Sequence, residues 1–289
     1  MAELLSGKPV AEALDTKTAL LAAELREKGL VPTLAVIRVG ERADDVRYEK
    51  SLRKRAEKLG IAVRSAVLDA ACDAAAVRSA IDEANADPCV HGILLFRPLP
   101  ARLKPDEAAL TERISPEKDI DGMTSLSLAG VFTNRPLGFP PCTAEACIEI
   151  LKHYHIDIPG RRAAVIGRSL VIGRPAAMLL MHENATVTVC HSKSADVPAI
   201  TRNAELVITA VGKARTLTAD YVSTGQTVID VSMNYDEQSG KFVGDADFAA
   251  VEPIVSAITP VPGGVGAVTV SVLMSHVVTS ALRSRGENR

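Results

Sequence analysis

The chain lacks a dominant charge. In 289 residues, 33 Lys and Arg stand against 35 Asp and Glu, for a formal net charge of −2. General nucleic-acid binders carry a basic excess, so that class is set aside and the basic cluster at 50–58 is a local feature. The five cysteines (Cys72, Cys89, Cys142, Cys147, Cys190) include no CxxC pair and are odd in number. That pattern points to buried thiols in a reducing compartment, with no metal. The N-terminus, "MAELLSGKPVAEAL", has no basic segment leading into an apolar one. No apolar run approaches the roughly 20 residues of a membrane span. There is no internal repeat and no low-complexity tract. The expectation is a soluble cytoplasmic protein with neither membrane nor nucleic acid as partner.

What is present is alternation. Helical spacing over 10–29 is followed by the strand "TLAVIRVG" (33–40), a helix over 44–59, a strand at 61–68, a helix at 73–86 and the apolar strand "GILLF" (92–96). A second series begins after the proline-rich "PLGFPPCT" (136–143). It comprises a helix at 143–155, strands at 163–167, 186–190, 205–210, 226–231 and 253–259, helices from 174 and near 195–203, and a last helix over 266–284. Strands separated by helices predict parallel sheets. At this length two domains are expected. The fold class is therefore α/β in two domains: an N-terminal α/β domain over 1–141, and a Rossmann-type dinucleotide-binding domain over 142–265.

Three loops carry candidate chemistry. "VIGRSLVIGRP" (165–175) joins a strand to a helix, with Gly167 and Gly173 flanking the turn and Pro175 in the first helical turn. It is not GxGxxG, so it is either a phosphate-binding turn with Arg168, Ser169 and Arg174 as donors or a plain tight turn. At the end of the next strand, "CHSKS" (190–194) has no acid to hold a ribose 2′-hydroxyl. Ser192 and Lys193 suit a 2′-phosphate, which predicts NADP, with NAD as the alternative. "ITPVPGGVGAVTV" (258–270) packs three glycines into 263–266 after two prolines. That composition favours a ligand-contacting loop over a simple connection, with Thr269 as a cap or a ligand partner.

Taken together, "GKPVA" (7–11), "LAVIRVG" (34–40), Tyr48 with "KRAEKLGI", "GILL" with "PLP", "PEKDIDG" (116–122), "VIGRS" with "IGRP", "VTVCHSKS" and "TPVPGGVG" (259–266) form an ordered set. The chain resembles the methylenetetrahydrofolate dehydrogenase/methenyltetrahydrofolate cyclohydrolase family along nearly its whole length. The resemblance implies a homodimer, a folate site in a cleft between the domains, and a C-terminal helix (about 266–289) returning to the N-terminal domain. It implies a folate-stacking role for Tyr48 and a pterin-holding role for the Asp121 carboxylate, both taken as catalytic residues. Pro98, Pro262, Gly263 and Thr269 join them as substrate contacts. Gly167, Arg168, Ser169, His191, Ser192, Lys193 and Gly266 are assigned to the cofactor.

Two positions depart from the family. Its lysine four residues after the tyrosine is Leu52 here, and its strand-end glutamine is Phe96. Spacing puts Tyr48, Leu52, Ala56 and Leu59 on one helix stripe, with Lys50, Arg53, Lys54 and Lys58 elsewhere. Hydride transfer needs no protein base, whereas hydrolysis does. The expectation is a dehydrogenase with weak or absent cyclohydrolase activity. The alternatives are the fully bifunctional enzyme and, from another class, a non-catalytic anion-binding protein.

Overall fold

The computed structural model describes residues 1–237 and 240–287. The elements in chain order are β1 (Glu3–Leu4), α1 (Gly7–Glu27), β2 (Thr33–Val39), α2 (Ala43–Lys58), β3 (Ala62–Leu68), α3 (Ala74–Ala86), β4 (Gly92–Leu95), α4 (Glu107–Thr111), α5 (Ser125–Thr133) and α6 (Cys142–His153). They continue with β5 (Arg162–Ile166), α7 (Gly173–His182), β6 (Thr186–Cys190), α8 (Val197–Arg202), β7 (Leu206–Thr209), β8 (Thr227–Asp230), β9 (Asn234–Asp236), β10 (Lys241–Val243), α9 (Phe248–Val251), β11 (Ala257–Ile258) and α10 (Val265–Arg283). The chain divides into two compact units. Unit I is Ala13–Pro140 with the residues from Ser271 onward; unit II is Met1–Glu12 with Pro141–Val270.

In unit I, β2 lies between β3 and β4 in a parallel three-stranded sheet. β2 and β4 are buried along their whole length and read as mainly apolar runs, with Thr33 and the ion-paired Arg38 as the polar residues of β2. Successive side chains alternate between the faces. Ala35, Ile37, Val39, Ile93 and Leu95 pack with Val77 and Ile81 of α3. The even-numbered residues, Arg38 and Phe96 among them, take the face that meets α2. Asp44 and Asp45 in the first turn of α2, and Arg55 and Lys58 in its last, complement the helix dipole. Gly60, at φ +76°, turns the chain toward β3. Asp73 caps α3 through the N–H of Ala76 at 2.9 Å. α5, absent from the sequence reading, is capped by Thr124 and stopped by Asn134 in the left-handed region.

Unit II holds six parallel strands in the order β1-β11-β8-β7-β5-β6, beside the antiparallel hairpin β9-β10. β1 places residues 3–4 in this sheet, with Glu3 opposite Ala257 and Leu4 opposite Ile258. The strand expected over 253–259 shrinks to these two residues, because 252–254 form turns that follow α9. The chain runs from β5 outward to β6 and then returns to β7 on the other side of β5, so the direction of winding reverses beside β5. α10 has the length and hydropathy of a membrane span, and 67% of its apolar window is buried inside the protein, as in a core helix.

Candidate active site

α2 carries the first group of site candidates. Tyr48 is 42% exposed, and its ring centroid lies 5.4 Å from that of Phe96, tilted by 51°. Phe96 follows β4 directly and is 8% exposed; Leu52, one turn along α2 from Tyr48, is 1% exposed. The stripe predicted from spacing is buried at Leu52, Ala56 and Leu59, and it emerges from the core at Tyr48. Leu52 thus offers neither a polar atom nor an open surface. Pro98 is exposed, and its carbonyl accepts from Arg42 Nη1 at 3.3 Å.

The two acids of "KDID" have different surroundings. Asp119 is buried and accepts from the N–H groups of Met123 (3.1 Å) and Thr124 (2.7 Å) and from the Ser127 hydroxyl (2.7 Å), which fastens the turn. Asp121 keeps 32% side-chain exposure and meets Arg97 Nη2 at 3.4 Å through Oδ2. Burial pushes the Asp121 carboxyl up to about 6, with Arg97 and His276 opposing and Asp119 adding to the rise. His276 Nδ1 lies 2.7 Å from the carbonyl of Ile120, the residue before Asp121.

Sequence reasoning missed two charged residues here. Glu49, next to Tyr48, is 7% exposed and accepts from Arg38 Nε of β2 at 2.9 Å. Arg53 (3.4 Å) and the Ser65 hydroxyl also bond it. Burial would raise the Glu49 carboxyl, but Ser65 and Arg38 outweigh it and hold the group below the usual range. The basic stretch is therefore partly spent on structure. Arg53 ties down Glu49 and the carbonyl of Val63 (3.1 Å), and Arg55 pairs with Asp15 at 2.8 Å. The second omission is Arg97. Its proline-flanked loop position gave no periodic signal.

The cofactor candidates gather in unit II. A cavity of about 440 Å³ opens at the C-terminal ends of β5, β6 and β7. Gly167, Arg168 and Ser169 line it after β5, His191 and Ser192 after β6, and Ala210 and Val211 after β7; Tyr221 closes one side. That is where a parallel sheet leaves a crevice when its winding reverses. Gly167 has φ +128°, and a Cβ there would stand 2.5 Å from the Ala210 carbonyl oxygen. A Cβ on Gly173 would stand 2.2 Å from the Gly167 oxygen. Both glycines are thus required by backbone approach. The turn spends some of its own donors: the Ile172 N–H goes to Ser169 Oγ (3.1 Å) and the Arg174 N–H to the Ser169 carbonyl (3.1 Å). Pro175 has no N–H, so an anion here relies more on Arg168 than the sequence suggests. Lys193 is exposed and does not line the cavity; its N–H donates to His191 Nδ1 at 3.1 Å. Tyr221, at the end of the 3₁₀ turn Ala219–Tyr221 before β8, carried no sequence signal.

The glycine loop has a packing role of its own. The Gly7 N–H donates to the Gly263 carbonyl at 2.8 Å, and a Cβ on Gly7 would stand 2.1 Å from the Gly264 oxygen. Gly263 has φ +104° and Pro262 is exposed; Gly266 is exposed with open space around its Cα. The Thr269 hydroxyl donates to the Val265 carbonyl at 3.2 Å and retains its acceptor capacity. A second cavity of about 470 Å³ is lined by Arg215, Asp230 and Val261, among others. Of its two acids, Asp230 and Asp247, the first is engaged: Asp230 accepts from the N–H groups of Asp245 (3.0 Å) and Ala246 (2.8 Å).

A doubly wound parallel sheet, a glycine turn leading into a helix and a crevice at the reversal of winding define a dinucleotide-binding α/β protein. The particular family follows from comparison. The catalytic-domain model of tetrahydrofolate dehydrogenase/cyclohydrolase matches residues 5–121, and the NAD(P)-binding-domain model matches 141–285. The chain is 48% identical over 279 residues to the bifunctional protein FolD of Carboxydothermus hydrogenoformans, covering 96% of each chain. It superposes with a TM-score of 0.92 and 38% identity on the bifunctional FolD methylenetetrahydrofolate dehydrogenase/cyclohydrolase of Campylobacter jejuni, over 98% of this chain and 99% of that one. The Trypanosoma brucei enzyme, solved with NADP and an inhibitor, gives 0.89 at 34% identity over 98% of each chain. The chain belongs to the tetrahydrofolate dehydrogenase/cyclohydrolase family.

Proposed function

We propose that this enzyme oxidises 5,10-methylenetetrahydrofolate to the 5,10-methenyl form with NADP, and that it hydrolyses the methenyl product weakly or not at all. The observation that carries the second half is the pair Leu52 and Phe96. One is sealed in the core and the other is packed against Tyr48, at the two positions where the family has lysine and glutamine.

The two steps make different demands. In the first, the methylene carbon loses hydride while the adjacent folate nitrogen donates its lone pair, so no protein base takes part. The protein has to align the folate and exclude water. The exposed ring of Tyr48, backed by Phe96, offers a stacking face for it, and Asp121 accepts from the N–H groups of the pterin. NADP, when bound, supplies the hydride acceptor. In the second step, water adds to the methenyl carbon, and a proton must pass from oxygen to nitrogen as the adduct opens. A positioned acid or base contributes about 10²–10⁴-fold to such a transfer. Leu52 and Phe96 have no proton to give or take.

The cavity at the ends of β5, β6 and β7 lies where a doubly wound sheet takes a dinucleotide. Arg168 and Ser192 at its wall, with no acid after β6, support NADP over NAD. A second reading, the bifunctional enzyme, is favoured by Asp121. A carboxyl titrating at about 6 exchanges protons near neutral pH. Separate assays of the two activities on purified protein decide. Reduction of NADP with accumulation of methenyltetrahydrofolate is expected. Enzyme-dependent decay of that product at a rate comparable to its formation would overturn the monofunctional reading.

A further inference from the structure

Consecutive residues at the end of β4 each touch one of the two candidate substrate contacts. Phe96 backs the ring of Tyr48, and Arg97 reaches the carboxylate of Asp121. We propose that Arg97 is a positioning and specificity-determining residue of the folate site: it holds Asp121 as an oriented carboxylate and presents a fixed N–H donor beside it to the pterin. The inference rests on the proposed role of Asp121 in holding the pterin.

Arg97 forms a single contact of this kind. Among the described residues, Asp121 is the one side chain it bonds, by Nη2 at 3.4 Å. A guanidinium has five N–H donors, and Arg97 keeps 27% side-chain exposure, so donors remain for a ligand. The edge of a pterin offers N–H groups next to a carbonyl oxygen. A carboxylate accepts from the former, and an adjacent guanidinium donates to the latter. Asp121 and Arg97 form that pair of complementary groups. An arginine also stays protonated at any working pH. It therefore adds charge and direction to the site and no route for protons, in keeping with hydride transfer without hydrolysis.

The charged groups facing Asp121 are Arg97, Asp119 and His276. Asp119 is consumed by its turn, and His276 sits on the Ile120 carbonyl. Arg97 is thus the side chain that directly offsets the burial of Asp121. Without it, Asp121 becomes protonated at a higher pH, and a protonated carboxyl accepts poorly from pterin N–H groups.

The test is steady-state kinetics with 5,10-methylenetetrahydrofolate and NADP from about pH 5.5 to 8.5. Arg97→Met is expected to raise KM for the folate about tenfold while kcat changes less than about threefold. The acid limb of the kcat/KM profile should move upward by about one pH unit. Arg97→Lys should recover most of the KM and return the limb toward its wild-type position; a purely structural role would predict neither. If Arg97→Met does not fold, Arg97→Gln removes the same charge. An inactive wild type would dispose of the dehydrogenase reading itself. A wild type that is active, with KM raised by Asp121→Asn but with KM and pH profile unmoved in Arg97→Met, would overturn this inference alone.

Discussion

The rings of Tyr48 and Phe96 stand 5.4 Å apart, one 42% exposed and the other 8%. This contact separates a stability role from a binding role. Phe96→Ala empties a core position and should cost about 3–5 kcal/mol, read by denaturant melts. Tyr48→Ala removes an exposed ring and should leave the melt nearly unchanged while raising KM for the folate several-fold. A large stability loss in Tyr48→Ala with unchanged KM would reverse the assignment.

Leu52 sets the second prediction. Leu52→Lys places an ammonium at a position that is 1% exposed, where desolvation lowers its pKa below the unfolded value. Between those two pKa values the unfolded state binds the extra proton, so stability rises with pH. The variant should be destabilised by several kcal/mol at pH 7 and by less at pH 9. Hydrolysis should appear, if at all, only in the double variant Leu52→Lys with Phe96→Gln, which supplies a polar neighbour. Product decay followed by absorbance checks it. A double variant that keeps dehydrogenase activity without hydrolysis would show that other residues also matter.

Asp121 gives opposite signs for binding and for stability. Its carboxyl titrates at about 6 in the fold against an ordinary 3.8. Below that pH the proposed contact with the pterin should weaken, so KM for the folate should rise on acidification. Stability runs the other way: a raised carboxyl pKa means the folded protein is penalised as pH increases from 3.8 through about 6. Asp121→Asn should therefore raise Tm at pH 7.5 by about 2–4 °C, or about 1 kcal/mol after discounting for partial exposure. At pH 4.5 the gain should be much smaller. Calorimetry at the two pH values tests the sign.

The cofactor turn gives two further expectations. Gly173→Ala forces a methyl group against the Gly167 carbonyl, so NADP binding should fall at least tenfold, or the unit should lose stability, by titration and melt. Ser192→Asp puts an anion on the cavity wall. KM for NADP should rise about tenfold or more, with NAD far less affected. Lys193→Ala should have the smaller effect of the two, because Lys193 is not part of that wall.

Much of this was legible in the sequence. The buried runs of β2 and β4 announced themselves because a parallel strand covered on both faces is mostly apolar, with Arg38 the charged exception. Leu52, Ala56 and Leu59 followed from helical spacing. β5, α7 and β6 placed Gly167, Arg168, Ser169, His191 and Ser192 around one cavity. What escaped depended on distant partners. Glu49 reads as a surface acid until Arg38, 11 residues away, is brought onto it across β2. Arg97 reads as a loop cation until Asp121, 24 residues on, folds back to meet it. α5 was hidden because "SLSLAGVFT" is apolar on most sides and shows no clean stripe.

The start of the chain has a practical consequence for handling this protein. Glu3 and Leu4 cover the outer side of β11, Glu3 N–H donates to the Ser256 carbonyl at 2.8 Å, and Leu5 N–H donates to the Ile258 carbonyl at 2.9 Å. Leu5 is fully buried. The opening residues are thus a seal on an otherwise raw sheet margin. Trimming them, or fusing a bulky tag against them, would bare hydrogen-bonding groups that a strand from another molecule can take up.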